Sequence, residues 1–198
     1  YDAKGLLLSS IFDNDPVIFI EHRWLYNQIG IVPEGDYRIP IGKANVINKG
    51  NDITIVSMSY MTIEVIRIIE LLSEHNIYCE LIDLRSIKPI DSKAIISSVN
   101  KTGNLLVLDT ANRFASVSSE IITFVVEECF SKLKQSPRRI TLPDFPVPTS
   151  AGLTENFYPK SNEIIKEISE MLSKKINLPE KFDDFKHDVP GNWFKGPF

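Results

Sequence analysis

Between residues 53 and 175, apolar segments of strand length alternate with longer segments of helical periodicity. Such alternation favours a parallel sheet, because parallel neighbours need a crossover connection that usually contains a helix. Strands that are apolar on both faces indicate helices on both sides of the sheet. The pattern predicts an α/β fold, a three-layer αβα sandwich with a mostly parallel (mixed) sheet. The predicted strands are Ile53–Met58, Ile77–Leu84, Leu105–Asp109 and Arg138–Leu142, and the predicted helices are Thr62–His75, Ser92–Lys101, Ser118–Leu133 and Asn162–Lys175.

Several residues have the chemistry of helix ends. Asp91 and Ser161 precede helical patterns and are favoured N-cap types, and Gly103 is well placed to end a helix. In the first predicted helix the polar positions recur at helical spacing, which predicts one exposed stripe on a largely buried helix. That stripe comprises Glu64, Arg67, Glu70 and Glu74.

The segments outside this alternating region are less regular. Val17–Ile20 is an apolar run after a proline and predicts a further buried strand. Residues 27–52 are rich in Gly, Pro, Asn and Asp and are predicted to be a linker. Residues 177–198 hold prolines and many aromatics, so we expect this tail to pack on its own domain or on a partner.

Composition excludes several classes of function. The net charge of −4 gives no broad attraction for nucleic acid or an anionic membrane, and no apolar run reaches the length that spans a bilayer. Two cysteines make no disulfide framework, which predicts a cytoplasmic protein. The three histidines are scattered without ligand spacing, so no metal site is expected. Phosphate-loop, dinucleotide and serine-nucleophile motifs are also missing.

Two polar groups follow predicted strands and are candidates for an active-site rim or an interface. Glu21, His22 and Arg23 follow the run Val17–Ile20, and Asn112 and Arg113 follow the strand that ends at Asp109. Ligands of open α/β sheets bind at the carboxyl ends of strands. The competing interpretation is an ion-paired strand end or an ordinary exposed loop.

The stretch IDLRSIKPID connects a strand to a helix. Its polar and turn-forming residues are predicted to build a structural turn, with the Asp and Arg of DLR forming an internal pair. The residues of this turn are Asp83, Arg85, Pro89 and Asp91.

In order and spacing, the chain resembles a known enzyme family. The segments that carry the resemblance are EHRWLY, YRIPIGKANVINKGNDITIVSMSYMT, CELIDLRSIKPID, VEECF and RRITLPDFPVPTS. They resemble the beta subunit of thiamine-diphosphate-dependent 2-oxo acid dehydrogenases of the pyruvate or branched-chain type, and more broadly the C-terminal domain of transketolases.

The resemblance implies a division into parts. Residues 1–26 would be the end of a pyrimidine-binding domain, 27–52 a linker, 53–176 a transketolase C-terminal-like domain and 177–198 an aromatic tail. Thiamine diphosphate and Mg²⁺ would be bound by the whole enzyme and not by this chain, which is expected to hold no catalytic residue. The implied partners are an alpha subunit or preceding domains, a second beta chain and a lipoyl-bearing acyltransferase.

Other functions within and beyond this family stay open. The loop Asp109–Glu120 lacks the glycines that the family usually carries before its next helix, so its role near an active site is open. The alternatives are the C-terminal domain of a sugar transketolase or deoxyxylulose-phosphate synthase, and a non-catalytic assembly module.

Overall fold

The computed structural model describes residues 1–154, 157–178 and 182. Of the predicted tail, residues 179–181 and 183–198 lie outside this described part. The helices are α1 Asp2–Ile11, α2 Tyr60–Ile66, α3 Ile69–Glu74, α4 Ser92–Thr102, α5 Val117–Cys129 and α6 Ser161–Leu172. The strands are β1 Asn45–Asn48, β2 Ile53–Ser57, β3 Cys79–Asp83, β4 Leu105–Asn112 and β5 Arg138–Leu142, and short 3₁₀ helices span Arg23–Asn27, Phe130–Lys132 and Ala151–Leu153.

The described strands form a five-stranded mixed sheet in the order β1-β3-β2-β4-β5. β2 pairs in parallel with β3 and β4, and β4 pairs in parallel with β5. β1 is antiparallel to β3. The predicted α/β fold with a mostly parallel, mixed sheet is therefore confirmed.

Each face of the sheet is covered by its own apolar cluster. Alternate strand residues such as Ile55 and Leu106 point to one cluster, which α2, α3 and α6 complete. Their neighbours, such as Val56 and Val107, point to the other, which α4 and α5 complete. Two buried clusters on opposite faces make the sheet the middle of three layers, as the period-2 alternation of strand side chains requires.

The caps of α4 are those predicted from the sequence. Asp91 is its N-cap and accepts a hydrogen bond from the Ala94 N–H at 3.3 Å. Gly103 ends the helix with a φ of 73°, a left-handed conformation that glycine adopts without strain.

The single helix predicted over Thr62–His75 is wrong, since the structure has two shorter helices. α2 ends at Ile66 and α3 begins at Ile69. At the break the Ile68 N–H bonds to the Val65 carbonyl, three residues back instead of four. The β-branched run around this point restricts side-chain rotamers and lowers helix propensity, which explains why the helix is interrupted there.

Glu64 does not belong to an exposed stripe, contrary to the prediction, because it is only 1% exposed. Its Oε2 accepts hydrogen bonds from the Ser161 N–H at 3.0 Å and from the Ser161 hydroxyl at 2.6 Å. Arg67 Nη1 also bonds to both Glu64 oxygens at 3.1 Å. Ser161 is therefore the first residue of α6 and not its cap, and the N-cap is Lys160.

Two further expectations about the N-terminal part differ from the structure. The run Val17–Ile20 is not a strand, and Ile18 and Ile20 are 88% and 81% exposed. No strand in the described residues pairs with it, so its backbone groups cannot form a ladder. The predicted linker contains a strand, β1, which pairs with β3 at the edge of the sheet. Val46 and Ile47 are the apolar pair within this short strand.

Among the described residues, no helix is both long enough and apolar enough to cross a membrane.

The Ser161 hydroxyl is expected to stabilise the contact between α2 and α6. Ser161→Ala removes a donor to a buried carboxylate and should lower the free energy of unfolding by about 2 kcal/mol. Urea denaturation followed by circular dichroism measures this change. Ser131→Ala, at an exposed position, is the control and should stay within about 0.5 kcal/mol of the parent; equal effects of the two substitutions would contradict the assigned role.

Candidate functional site at the carboxyl edge of the sheet

His22 lies beside an aromatic cluster at the carboxyl end of β2. It is the N-cap of the 3₁₀ helix Arg23–Asn27, and its Nδ1 accepts a hydrogen bond from the Trp24 N–H at 3.3 Å. The centroid of its ring lies 5.3 Å from that of Trp24 and 5.2 Å from that of Tyr60. Burial lowers the pKa of His22, so the imidazole is neutral at pH 7.

Trp24 is the centre of this cluster, although the sequence analysis did not single it out. It is 8% exposed, and its ring packs edge-on against Tyr60 with the centroids 4.9 Å apart. Tyr158 packs against the same indole, also at 4.9 Å. The N-terminal segment is thus held on the sheet by aromatic packing, which contributes energy beyond area burial alone.

The turn from β2 into α2 carries two unusual polar residues. Ser59 has a φ of 59°, in the left-handed region that is uncommon for serine. The buried side-chain hydroxyls of Ser59 and Tyr60 have no hydrogen-bond partner in the described part of the chain. Burial raises the pKa of Tyr60 far above its usual range, so its phenol stays protonated. Backbone strain and unsatisfied polar groups together are typical of functional positions.

Glu21 and Arg23 flank His22 in the chain, and both side chains are exposed. Glu21 accepts a hydrogen bond from the Tyr26 hydroxyl at 3.2 Å, on the solvent side. Of the first predicted group, His22 packs against the aromatic rings of Trp24 and Tyr60.

Asn112 is the last residue of β4, which runs three residues beyond the predicted end at Asp109, and Arg113 begins the exposed loop that follows. Asn112 Nδ2 donates to the Pro143 carbonyl at 2.8 Å, and the Phe114 N–H donates to Asp144 Oδ1 at the same distance. These bonds brace the loop against the chain after β5 and present the Phe114 side chain, which is 85% exposed. The hydrogen bond of Asn112 thus connects the second predicted group to the chain after β5.

The internal pair predicted for the DLR turn is present through the backbone, because the Arg85 N–H donates to the Asp83 carboxyl, while the Arg85 guanidinium has a further partner. Arg85 pairs with Asp2 at the start of α1, through Nη2 to Oδ1 at 2.7 Å and Nε to Oδ2 at 2.9 Å. Arg85 has a φ of 55°, which turns the backbone after β3. Pro89, further along the turn, follows a cis peptide bond.

Asp83 is largely shielded from solvent behind this pair. Burial raises the pKa of its carboxyl to about 6, although hydrogen bonds from the Arg85 N–H and the Thr62 hydroxyl oppose the shift. A carboxyl that titrates near neutrality at a strand end is a candidate functional group.

The described residues contain no group of three or more His, Cys, Asp or Glu side chains close enough together to hold a metal ion. Both cysteines are free and buried.

The architecture defines the class of protein, an α/β domain whose largely parallel sheet is covered on both faces and whose polar residues gather at the carboxyl edge. Residues 42–164 match the family described as the transketolase C-terminal domain. The chain therefore belongs to the transketolase C-terminal domain family, as predicted from its sequence.

Curated relatives extend this likeness to most of the chain. The beta subunit of acetoin:2,6-dichlorophenolindophenol oxidoreductase from Bacillus subtilis (strain 168) is 40% identical over 174 residues, which cover 88% of this chain and 51% of the relative. The beta subunit of the pyruvate dehydrogenase E1 component from Staphylococcus aureus (strain Mu50) is 40% identical over 174 residues, which cover 87% of this chain and 53% of that relative. Its counterpart from Mesostigma viride is 35% identical over 176 residues, which cover 89% of this chain and 54% of that relative. The resemblance to such beta subunits is confirmed, and the chain spans about half their length.

Among solved structures, a split gene transketolase described as an inactive beta4 tetramer superposes with a TM-score of 0.60. The match covers 74% of this chain and 48% of that one, at 23% identity. At this identity the likeness shows the fold alone.

Trp24 is expected to anchor the N-terminal segment. Trp24→Ala should lower the free energy of unfolding by roughly 3 kcal/mol, because it removes a buried ring from between two tyrosines. Trp24→Phe should cost less, since a ring remains. The measurement is urea denaturation followed by circular dichroism.

Tyr26→Ala is the matched control, because Tyr26 lies in the same 3₁₀ helix but is 58% exposed. It should change stability by less than about 0.5 kcal/mol. An anchoring role for Trp24 is excluded if Trp24→Ala is as mild as this control.

Proposed function

We propose that this chain is the C-terminal section of the beta subunit of a thiamine-diphosphate-dependent 2-oxo acid dehydrogenase-like enzyme. The observation that carries the proposal is the alignment of 87–89% of the chain with curated beta subunits, at 35–40% identity. In the whole enzyme the reaction would be oxidative decarboxylation of a 2-oxo acid. This section would serve subunit assembly and form part of the active-site rim.

The division of the chain follows from this proposal. Residues 1–26 would end a pyrimidine-binding domain, and 27–52 would link it to the transketolase C-terminal-like domain at 53–176. Exposed apolar side chains in the first two parts support contacts with further protein, since an extended apolar surface usually marks an interface. The most exposed are Ile18, Ile20, Ile29 and Ile31, at 81–99%.

The rim of the active site would be built from the residues that follow strands. His22 is the strongest member, because it is neutral and lies against Trp24 and Tyr60 at the carboxyl end of β2. Glu21, Arg23, Asn112 and Arg113 are exposed and would contact the substrate path or a neighbouring subunit. None of these five residues is proposed to act as a catalytic residue in this chain alone.

Thiamine diphosphate and Mg²⁺ would belong to the whole enzyme. The described residues contain no group of three or more His, Cys, Asp or Glu side chains that could hold a metal ion. We assign no step of cofactor chemistry to residues of this chain.

The proposed partners are an alpha subunit or the preceding domains, a second beta chain and a lipoyl-bearing acyltransferase. The braced loop with exposed Phe114 is a candidate contact for one of them. A cytoplasmic location is proposed from Cys79 and Cys129, which are buried and unpaired.

A sugar transketolase or deoxyxylulose-phosphate synthase domain is the second candidate function. It shares the fold, as the split gene transketolase does at a TM-score of 0.60. The names of the curated relatives at 35–40% identity favour the dehydrogenase beta subunit. A non-catalytic assembly module remains the alternative that needs no enzyme partner.

Cofactor binding by the isolated chain is the first test. Calorimetric titration of the 198-residue chain with thiamine diphosphate and Mg²⁺ should give no saturable heat. Circular dichroism of the same sample checks that the chain is folded. Stoichiometric micromolar binding, about −8 kcal/mol, would contradict the proposed division of labour.

A chimera tests the function itself. The aligned segment of the Bacillus subtilis beta subunit is replaced by the matching residues of this chain, and the product is combined with its alpha subunit. Because the segment would supply assembly contacts and the rim, thiamine-diphosphate-dependent reduction of 2,6-dichlorophenolindophenol should be measurable with acetoin or a 2-oxo acid.

Two controls make the chimera decisive. The Bacillus subtilis subunit without the segment should be inactive, and His22→Ala in the chimera should lower kcat more than Tyr26→Ala does. Assembly is followed by size-exclusion chromatography. A chimera that assembles with the alpha subunit but has no activity would overturn the proposed function.

A further inference from the structure

Helix α1 is attached to the sheet by a charged pair. Arg85, in the turn after β3, forms two nearly parallel hydrogen bonds with the Asp2 carboxylate, at 2.7 and 2.9 Å. The Arg85 side chain is only 13% exposed, so the pair is partly withdrawn from water. Bidentate pairs of this kind are stronger and more directional than single hydrogen bonds.

Other polar contacts of α1 do not reach the sheet. Within the described residues they go to the segment 33–39, where Lys4 donates to the Pro33 carbonyl and Ser9 donates to the Ile39 carbonyl. The Ile39 N–H donates to the Gly5 carbonyl at 3.2 Å. Helix α1 and this segment thus form one unit, and the Asp2–Arg85 pair is its polar connection to β3.

Asp83 lies behind this pair, at the end of β3. The Asp2 carboxylate of α1 and the Arg85 guanidinium of the turn both act on the charge of its carboxyl. The Thr62 hydroxyl of α2 donates a hydrogen bond to it, and the neutral residues Ser57 of β2 and Asn45 of β1 are its strand partners.

We propose that Asp2, Arg85 and Asp83 form a charge-regulated latch, which holds α1 on the carboxyl edge of the sheet when Asp83 is protonated and loosens it when Asp83 is ionised. With Asp83 neutral, Arg85 has one anionic partner, Asp2, and the pair is balanced. With Asp83 ionised, two carboxylates compete for one guanidinium and repel each other across it.

The direction of the pH effect follows from proton linkage. Burial and the nearby Asp2 both raise the pKa of Asp83 while α1 is docked. When α1 leaves, the Asp2 charge is removed while that of Arg85 stays, so the pKa of Asp83 falls. Docking therefore binds a proton, and its stability is present at low pH and lost as the pH rises through about 6.

Hydrogen exchange of the 198-residue chain between pH 4.5 and 7.5 measures this opening. After correction for intrinsic exchange rates, the opening constant of the α1 amides should rise severalfold over this range, because the docked helix holds the pKa of Asp83 above its undocked value. The amides of β2 and β4 report whether the sheet stays folded.

Substitutions separate the latch from general destabilisation. Asp83→Asn, neutral at every pH, should abolish the pH dependence of α1 exchange. Arg85→Lys, which cannot bond in a bidentate manner, should raise α1 exchange at every pH. Asp13→Asn removes the same charge at an exposed position just after α1 and should behave like the parent.

Either of two outcomes would overturn the latch. One is an α1 opening constant in the parent that does not change with pH, and the other is an Asp83→Asn variant that keeps the parent's pH dependence. Neither outcome depends on thiamine diphosphate or on a partner subunit, so the latch and the proposed function can fail separately.

Discussion

The burial of β2 between two parallel neighbours is the constraint on which the rest of the fold depends. All five residues of β2 are fully buried, so every backbone group must be paired within the sheet. Even the buried Thr54 hydroxyl is satisfied, by Ser98 at 2.7 Å and Thr102 at 2.8 Å on α4. A strand this constrained fixes where its carboxyl end lies, and that end carries Ser59, Tyr60 and the aromatic cluster.

The sequence predicts what depends on local pattern and misses what depends on distant partners. The apolar strands and the Asp91 and Gly103 caps follow from residues close together in the chain, and the structure has them. β1 was missed because four residues show too short a pattern to reveal an edge strand. Glu64 was expected to be exposed because its buried partner, Ser161, lies 97 residues away.

The candidate site shows the same limit. Reasoning from strand ends singled out His22, which lies beside Trp24 and Tyr60 in the structure, although the strand assumed before it does not form. Trp24 carried no such signal, since its packing partners Tyr60 and Tyr158 are far along the chain. The predicted Asp83–Arg85 pair is present through the Arg85 N–H, but the second partner of Arg85 could not be predicted, for a related reason. Charges two residues apart suggested a local pair. In the structure the backbone at Arg85 is left-handed, and the Arg85 guanidinium pairs with Asp2, 83 residues earlier.

The N-terminal segment is therefore held on the domain by two contacts of different physical character. Packing around Trp24 is mainly apolar and involves a neutral His22, so it varies little above the range where that imidazole titrates. The contact at Asp2 is ionic and borders a carboxyl whose pKa is about 6. A change of pH near neutrality acts on the second contact and leaves the first in place. Helix α1 can then loosen while residues 22–27 stay docked, which changes the apolar surface offered to neighbouring protein without releasing the segment.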